Sequence, residues 1–222
     1  MSQAAADLSV GENTYRRIRH GIVFGELRPG EKLRLDRLRQ HYQTSVSTLR
    51  ELLSRLSAEG LVHAEGQRGF EVAPVSAKDL REVADMRQFI ECHALEQSFA
   101  AGDLEWEGRV VAAHHKLQRV EQRLMAGETA ESSVWKRYDW EFHHALVSAC
   151  GSAELMDVHA NIYDRYLRYQ MVVGIFRGKI AAKEHRLLLD CALERDAAEA
   201  RRVLAVHIQA CVDAIIARHA LP

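Results

Sequence analysis

Four side chains that can bind a metal ion fall on the predicted apolar faces of three helices. Asp139 and His143 are one helical turn apart and share a side of one helix, whereas His185 and His207 lie on two later helices. An unpaired carboxylate is costly to bury, and a divalent cation would offset that cost. Three imidazoles and one carboxylate without a thiolate suit Zn²⁺ first, with Ni, Mn or Fe as alternatives.

A second interpretation of these residues stays open from spacing alone. A histidine on an apolar face is often a core side chain that hydrogen-bonds to other protein groups. The pattern therefore predicts either one divalent metal ion or a set of satisfied core histidines.

Arg87 is a further candidate, because it shares a stripe with Val83, Ile90 and Ala94 on the first helix after residue 75. A guanidinium that points inward needs a carboxylate as its partner. The carboxylate can come from an effector or from the protein, so an effector-binding role and an internal ion pair both remain open.

A different chemistry is indicated nearer the N-terminus. A predicted helix over residues 46–58 has a leucine stripe on one side, and short polar or basic side chains remain on the others. Serine, threonine and arginine at the start of such a helix can bind phosphates or base edges in the major groove of DNA. The candidate DNA-binding residues are Arg37, Ser45, Ser47, Thr48, Arg50 and Arg68.

The elements that carry these groups divide the chain in two. After an expected disordered tail of residues 1–12, helices are predicted from Asn13, over 35–42 and over 46–58, followed by a hairpin near 61–73. This order is that of a winged helix-turn-helix DNA-binding domain, residues 13–75, which ends at Pro74 and Val75.

Residues 76–222 show helical patterns and no strand pattern, with glycines between the helices. Helices are predicted near 76–101, 103–126, 129–149, 152–173, 180–195 and 197–219. The fold class is therefore mostly α: an N-terminal winged helix-turn-helix and a C-terminal all-helical bundle, the ligand- and metal-binding domain.

The composition of the chain indicates where in the cell we expect the protein. The N-terminus lacks the apolar core of a signal peptide, and no stretch reaches the ~18 apolar residues of a membrane span. The four cysteines are far apart and form no C-x-x-C pair, which is typical of reduced thiols. We therefore expect a cytoplasmic protein without a membrane partner.

The N-terminal motifs resemble those of one family. The runs IVFGELRPGEKL (22–33), SVSTLRELLSRLSAEGLV (45–62) and RGFEV (68–72) are similar to the DNA-binding domain of GntR-type regulators. One position departs from that pattern: Val46 stands where the family often has an arginine. The resemblance thus implies DNA binding but not the family's commonest operator.

Residues 76–222 are similar to the ligand-binding FCD domain of the FadR branch. Its metal-binding members carry Asp-x-x-x-His, a later Glu-His pair and a last histidine, which match Asp139, His143, His185 and His207. The resemblance implies a bound metal that helps to hold a small organic acid. The remaining histidines of this half that match nothing are expected at the surface: His114, His115, His144 and His159.

The combined interpretation is a homodimeric repressor that binds a double-stranded DNA operator and responds to a small organic acid, and that is not an enzyme. Two alternatives remain. A metal-dependent hydrolase with a DNA-binding domain is disfavoured because H-E-x-x-H, G-x-S-x-G and a phosphate-binding glycine loop are missing from the sequence. A constitutive DNA-binding protein with a structural metal is the other.

Overall fold

The computed structural model describes residues 10–64, 66, 69–128 and 132–218. Contacts within the chain divide it into an N-terminal unit, residues 1–75, and a C-terminal unit, residues 76–222. Each unit has its own apolar core. Among the described residues, no helix has the length and apolar character to cross a bilayer.

The N-terminal unit contains three helices and a two-stranded antiparallel sheet. The elements are α1 (Val10–Val23), α2 (Leu35–Tyr42), α3 (Val46–Ala58), β1 (Val62–Ala64) and β2 (Phe70–Val72). The strands pair with Val62 opposite Val72. The core lies between the helices, where Ile18 and Ile22 of α1 meet Leu49 and Leu53 of α3, all fully buried. Leucine spacing on α3 thus holds the helix that carries the candidate DNA-binding side chains.

Helix α1 begins earlier than expected. We predicted a start at Asn13 after a disordered tail, whereas the helix begins at Val10. The reason lies in Glu12, whose carboxylate accepts hydrogen bonds from Arg16 at 3.2 Å and from Arg55 of α3 at 3.0 Å. An acidic residue in the first turn also interacts favourably with the helix dipole. The prediction for the tail is therefore wrong at residues 10–12, and residues 1–9 lie outside the described part.

The C-terminal unit is helical throughout its described residues. Its helices are α4 (Ala77–Ala101), α5 (Leu104–Met125), α6 (Ser132–Val147), α7 (Ala153–Val173), α8 (Lys179–Glu194) and α9 (Ala197–Ala217). Side chains cap the starts of several helices: Ser76 caps α4, Asp103 caps α5, Ser152 caps α7 and Asp196 caps α9. The predicted class, mostly α with an N-terminal winged helix-turn-helix and a C-terminal helical bundle, is confirmed.

The bundle brings distant parts of the chain to one interior. Helix α4 packs against α6, α7 and α9, while α5 packs against α6 and α8, and α8 packs against α9. Trp106, Phe142 and Leu188 are fully buried in this core. Because α4, α5, α6, α8 and α9 all border the same interior, polar side chains on their inner faces can meet there.

Candidate functional site

Three imidazoles meet inside the C-terminal unit. His143 of α6, His185 of α8 and His207 of α9 are all buried, and one ring nitrogen of each lies within 4.8 Å of the others. The ring centroids of His185 and His207 are 4.8 Å apart, and that of His143 lies 5.7 Å and 5.3 Å from them. The structure thus brings together three of the four residues predicted to bind metal, and we call this set the imidazole centre.

A carboxylate lies behind each imidazole. Nδ1 of His143 is 3.3 Å from Glu91 Oε2. Nδ1 of His185 is 2.8 Å from Glu121 Oε1, and Nδ1 of His207 is 2.8 Å from Glu184 Oε2. A carboxylate near Nδ1 is the arrangement that proteins use to orient histidines toward a metal. The guanidinium groups of Arg87 and Arg177 also lie 3.1 Å and 3.0 Å from Nδ1 of His143 and His207.

The Nε2 atoms supply a direct test of whether a metal fits. Those of His143 and His185 are buried and have no hydrogen-bond partner among the described residues. A buried nitrogen without a partner costs about 1–3 kcal/mol, so unpartnered atoms of this kind indicate a missing ligand. Burial also lowers the pKa of His143 and His207, which keeps both rings neutral, as metal ligands must be. The residues fit a divalent ion.

Asp139, the fourth predicted ligand, contacts the centre at His185, where its Oδ1 lies 3.4 Å from Nε2. Its other oxygen accepts hydrogen bonds from Lys136 Nζ at 3.2 Å and from the Tyr163 hydroxyl at 2.9 Å. Burial raises the pKa of Asp139, but Lys136 and the imidazoles outweigh it and hold that pKa far below its usual value. Lys136 therefore offsets part of the cost of burying the Asp139 carboxylate, which we had expected a metal ion to offset.

Arg87 is buried beside the centre and has a protein partner. Its Nε donates to Glu91 Oε1 at 2.8 Å, and its Nη2 lies 3.1 Å from His143 Nδ1. Its guanidinium also stacks on the rings of Tyr163 and Tyr166. The structure therefore contains the internal ion pair that was one of the two alternatives, and an effector contact for Arg87 stays a prediction.

The surface prediction is wrong for two histidines. His159 is buried, with Nε2 3.1 Å from Glu91 Oε1, and His114 is buried against the Phe142 ring. His159 shares a helical stripe with Tyr163 and Tyr166, and this apolar stripe was the signal that could have placed it inside. His115 is exposed, as predicted, and His144 is half-buried.

Two adjoining cavities lie beside the imidazole centre. The first leaves about 10 Å³ for the centre of a water-sized molecule. It is lined by Trp135, Lys136, Asp139, Gln170, Ile175, Arg177, Ala181, His185, His207 and Cys211. The second measures about 80 Å³ and is lined by Leu124, Trp135, Lys136, Gln170, Met171, Gly174, Ile175 and Phe176. The cavities share four residues, which we call the neck: Trp135, Lys136, Gln170 and Ile175.

The candidate DNA-binding side chains of the N-terminal unit gather at the start of α3. Ser45 caps this helix, since its Oγ accepts from the Thr48 backbone N–H at 3.0 Å, and it also contacts the hydroxyls of Ser47 and Thr48. Arg50 is exposed and forms no hydrogen bond or ion pair with the described residues. Val46 is half-buried at the first position of α3.

Arg37 is exposed on α2 and, like Arg50, has no protein partner in the described part of the chain. Arg68 lies outside the described residues. The structure thus leaves a candidate DNA-binding arginine exposed on each helix of the helix-turn-helix.

Comparison with family models matches nearly the whole chain. Residues 11–72 match the model of bacterial regulatory proteins of the gntR family, and residues 82–210 match the FCD domain.

Curated relatives match this chain over most of its length. The chain is 37% identical to the HTH-type transcriptional regulator BphR of Paraburkholderia xenovorans, over 93% of this chain and 85% of that protein. It is 32% identical to the HTH-type transcriptional repressor GlaR of Escherichia coli, over 87% and 90% of the two chains.

Solved structures share the fold. The structure of McbR/YncC from Escherichia coli superposes with a TM-score of 0.82 at 17% identity and covers 96% of this chain and 99% of that one. A GntR regulator from a Rhodococcus species superposes with a TM-score of 0.77 at 22% identity, over 95% and 99%.

Proposed function

The chain belongs to the GntR family of bacterial regulatory proteins and carries an FCD domain, and from that membership we propose that it is a repressor controlled by a small organic acid. Its relatives are transcriptional regulators, so the chain is a DNA-binding transcriptional regulator and not the hydrolase that we weighed as an alternative. The acid binds at a divalent metal ion held by the imidazole centre, and its binding releases the protein from an operator.

The observation that carries the proposal is the direction in which the three histidines point. Each Nδ1 faces a carboxylate, and one nitrogen of each ring lies within 4.8 Å of the others. His143, His185 and His207 would supply nitrogen ligands, and Asp139 an oxygen ligand. A bound ion supplies a Lewis acid that attracts the carboxylate of an acid. Zn²⁺ suits this set first, and Ni, Mn and Fe suit it as well.

The DNA-binding half of the proposal rests on α3. We assign Arg50 to base edges, and Ser45, Ser47 and Thr48 to phosphates or bases at the start of the helix. Arg37 contacts the DNA backbone, and Arg68 enters the minor groove. Val46 offers an apolar contact in place of a charged one. A homodimer would place two such helices on a palindromic operator.

Control by an acid requires that the acid binds one state of the protein better than another. The size of the first cavity favours a competing candidate, a constitutive regulator with a structural metal, because about 10 Å³ holds no more than one water molecule. The second cavity supports the acid sensor, since it shares the four neck residues with the cavity beside the centre.

The experiment measures operator binding with and without metal and acid. Purified protein is analysed for metal content, stripped with chelator and reloaded with Zn²⁺, and then titrated onto an operator selected from a random DNA pool. We expect mono- or dicarboxylates to weaken binding only for loaded protein. A His185→Ala variant should lose the metal and the response, whereas the exposed His115→Ala should keep both. Loaded protein that ignores every acid would establish the constitutive regulator instead.

A further inference from the structure

We infer that the neck binds the carboxylate of the effector and that the effector is a monocarboxylic acid with a short apolar tail. This inference rests on the proposed function and adds the ligand's chemistry to it. The carboxylate that the metal ion attracts would also contact Lys136 and Trp135 at the neck, and the tail would occupy the second cavity.

Unpartnered polar atoms at the neck indicate a ligand. Nε1 of Trp135 is buried and has no hydrogen-bond partner among the described residues. The amide of Gln170 is also buried: its nitrogen contacts Cys211 Sγ, and its oxygen has no partner in the described part of the chain. A buried indole N–H normally finds an acceptor. Both side chains line both cavities, so one bound molecule can satisfy them.

Lys136 makes the neck suitable for an anion. Its side chain is 3% exposed, and its ammonium lies 3.7 Å from the centre of the Trp135 ring. Asp139 is its one carboxylate partner in the described structure. If Asp139 turns toward a metal, Lys136 loses that partner, and a buried ammonium then requires another anion. The indole N–H and the ammonium together provide two donors for one carboxylate.

The charges around the centre favour a single carboxylate. The ionised groups that contact the imidazoles or line the first cavity are Glu91, Glu121, Asp139 and Glu184, against Arg87, Lys136 and Arg177. Four carboxylates against three basic groups leave one negative charge. A divalent ion changes this to one positive charge, which a monocarboxylate neutralises. A dicarboxylate would bring an additional buried charge.

The lining of the second cavity supports the same class of ligand. Five of its described side chains are apolar: Leu124, Trp135, Met171, Ile175 and Phe176. Lys136 is the one cationic group among its described lining residues, and the first carboxylate engages it. A second carboxylate would therefore lie against apolar side chains without a cationic partner among the described lining residues. A dry cavity of about 150 Å³ accepts benzene, so 80 Å³ suits a tail of about four carbons.

Calorimetry on the Zn²⁺-loaded full chain tests the inference with three probes of matched length: valerate, valeramide and glutarate. Valerate should bind at least about tenfold more tightly than the other two, because it alone combines one charge with an apolar tail. Lys136→Met and Trp135→Phe should each weaken valerate binding, Lys136→Met by about tenfold or more. The matched controls are Lys116→Met at an exposed position and Trp140→Phe at a half-buried one, neither of which lines a cavity, and both should leave valerate binding unchanged.

The outcomes separate this inference from the proposal beneath it. If glutarate binds as tightly as valerate, or if both neck variants bind valerate like the unmodified chain, the inference is overturned. Acids that still weaken operator binding would then leave the proposed function intact. If no acid binds although zinc does, acid control itself fails. If Lys136→Met does not fold, Trp135→Phe alone decides the matter.

Discussion

In the N-terminal unit, the candidate functional cations are exposed: Arg37 and Arg50 project from α2 and α3 without a protein partner among the described residues. In the C-terminal unit, Arg87 is 1% exposed and engages a glutamate, a histidine and two tyrosine rings. The first arrangement leaves charge available to an outside partner. In the second arrangement, the charge of Arg87 positions the side chains around the imidazole centre. Substitution should therefore affect binding alone in one unit, and binding and stability together in the other.

The largest effect expected is that of Arg87→Met. It leaves the Glu91 carboxylate buried without its guanidinium, and breaking such a pair costs about 3–5 kcal/mol of the free energy of unfolding. Urea denaturation of metal-free protein, followed by circular dichroism, measures the loss. The control is Lys116→Met, which removes one side of an exposed ion pair and should leave stability unchanged. Equal losses in both variants would contradict the distinction between the units.

A smaller effect concerns pH and His114. Burial lowers the pKa of this histidine from 6.5 to about 4, so the folded chain keeps it neutral where the unfolded chain binds a proton. Its contribution to stability is present above pH 6.5 and is lost as the pH falls toward 4. His114→Leu should therefore make the decline of the unfolding free energy over this range less steep.

The neighbouring residue provides the control for that measurement. His115 is exposed, and His115→Leu should reproduce the pH profile of the unmodified chain in the same denaturation series. A profile that is unchanged by His114→Leu would show that its burial does not shift its protonation.

Arg50→Ala tests the exposed unit. We expect operator affinity to fall by about 1–3 kcal/mol, the usual contribution of a bidentate arginine to base discrimination, with no change in the urea midpoint. Fluorescence anisotropy with a labelled operator measures the affinity. Arg81→Ala, an exposed helical arginine of the other unit, serves as control. A lower midpoint for Arg50→Ala would mean that this arginine supports the fold.

The smallest effect on stability is expected from Ser45→Ala. Ser45 is exposed, like Arg37 and Arg50, but unlike them it supports the fold because it caps α3. Loss of the cap should cost about 1 kcal/mol of stability. Ser47→Ala removes a neighbouring exposed hydroxyl that caps no backbone N–H, and should affect DNA affinity without that loss. Identical midpoints for the two variants would show that the cap contributes nothing measurable.

Local signals predicted the elements well. Helix α3 occupies the predicted residues 46–58 because a capping serine precedes its leucine stripe and Gly60 follows it. Helices α5, α7 and α9 also lie close to their predicted bounds. Each of these signals acts within one or two helical turns, so spacing in the sequence is enough to read it. The start of α1 was misjudged because Arg55, which helps to hold Glu12, is 43 residues away.

The candidate site was predicted less completely, for the same reason. The inward faces of His143, His185 and His207 follow from helical period, whereas their carboxylates come from other helices. Glu121 and His185 are 64 residues apart, and no local pattern links them. Lys136 escaped notice because lysine is expected at the surface, although it lies one turn before Asp139. Hydrogen bonds and ion pairs between side chains of different helices can be predicted only when the neighbouring helices of the bundle are known.

The carboxylates behind the three imidazoles have a consequence for the cell. Each ring is already oriented by a protein partner, so we expect the C-terminal unit to fold without a metal, unlike small zinc domains that are unstructured without one. Under the proposed function, loss of the metal would then leave a folded protein that still binds its operator but no longer responds to the acid. Under the proposed function, release from the operator would therefore require the acid and the metal ion together.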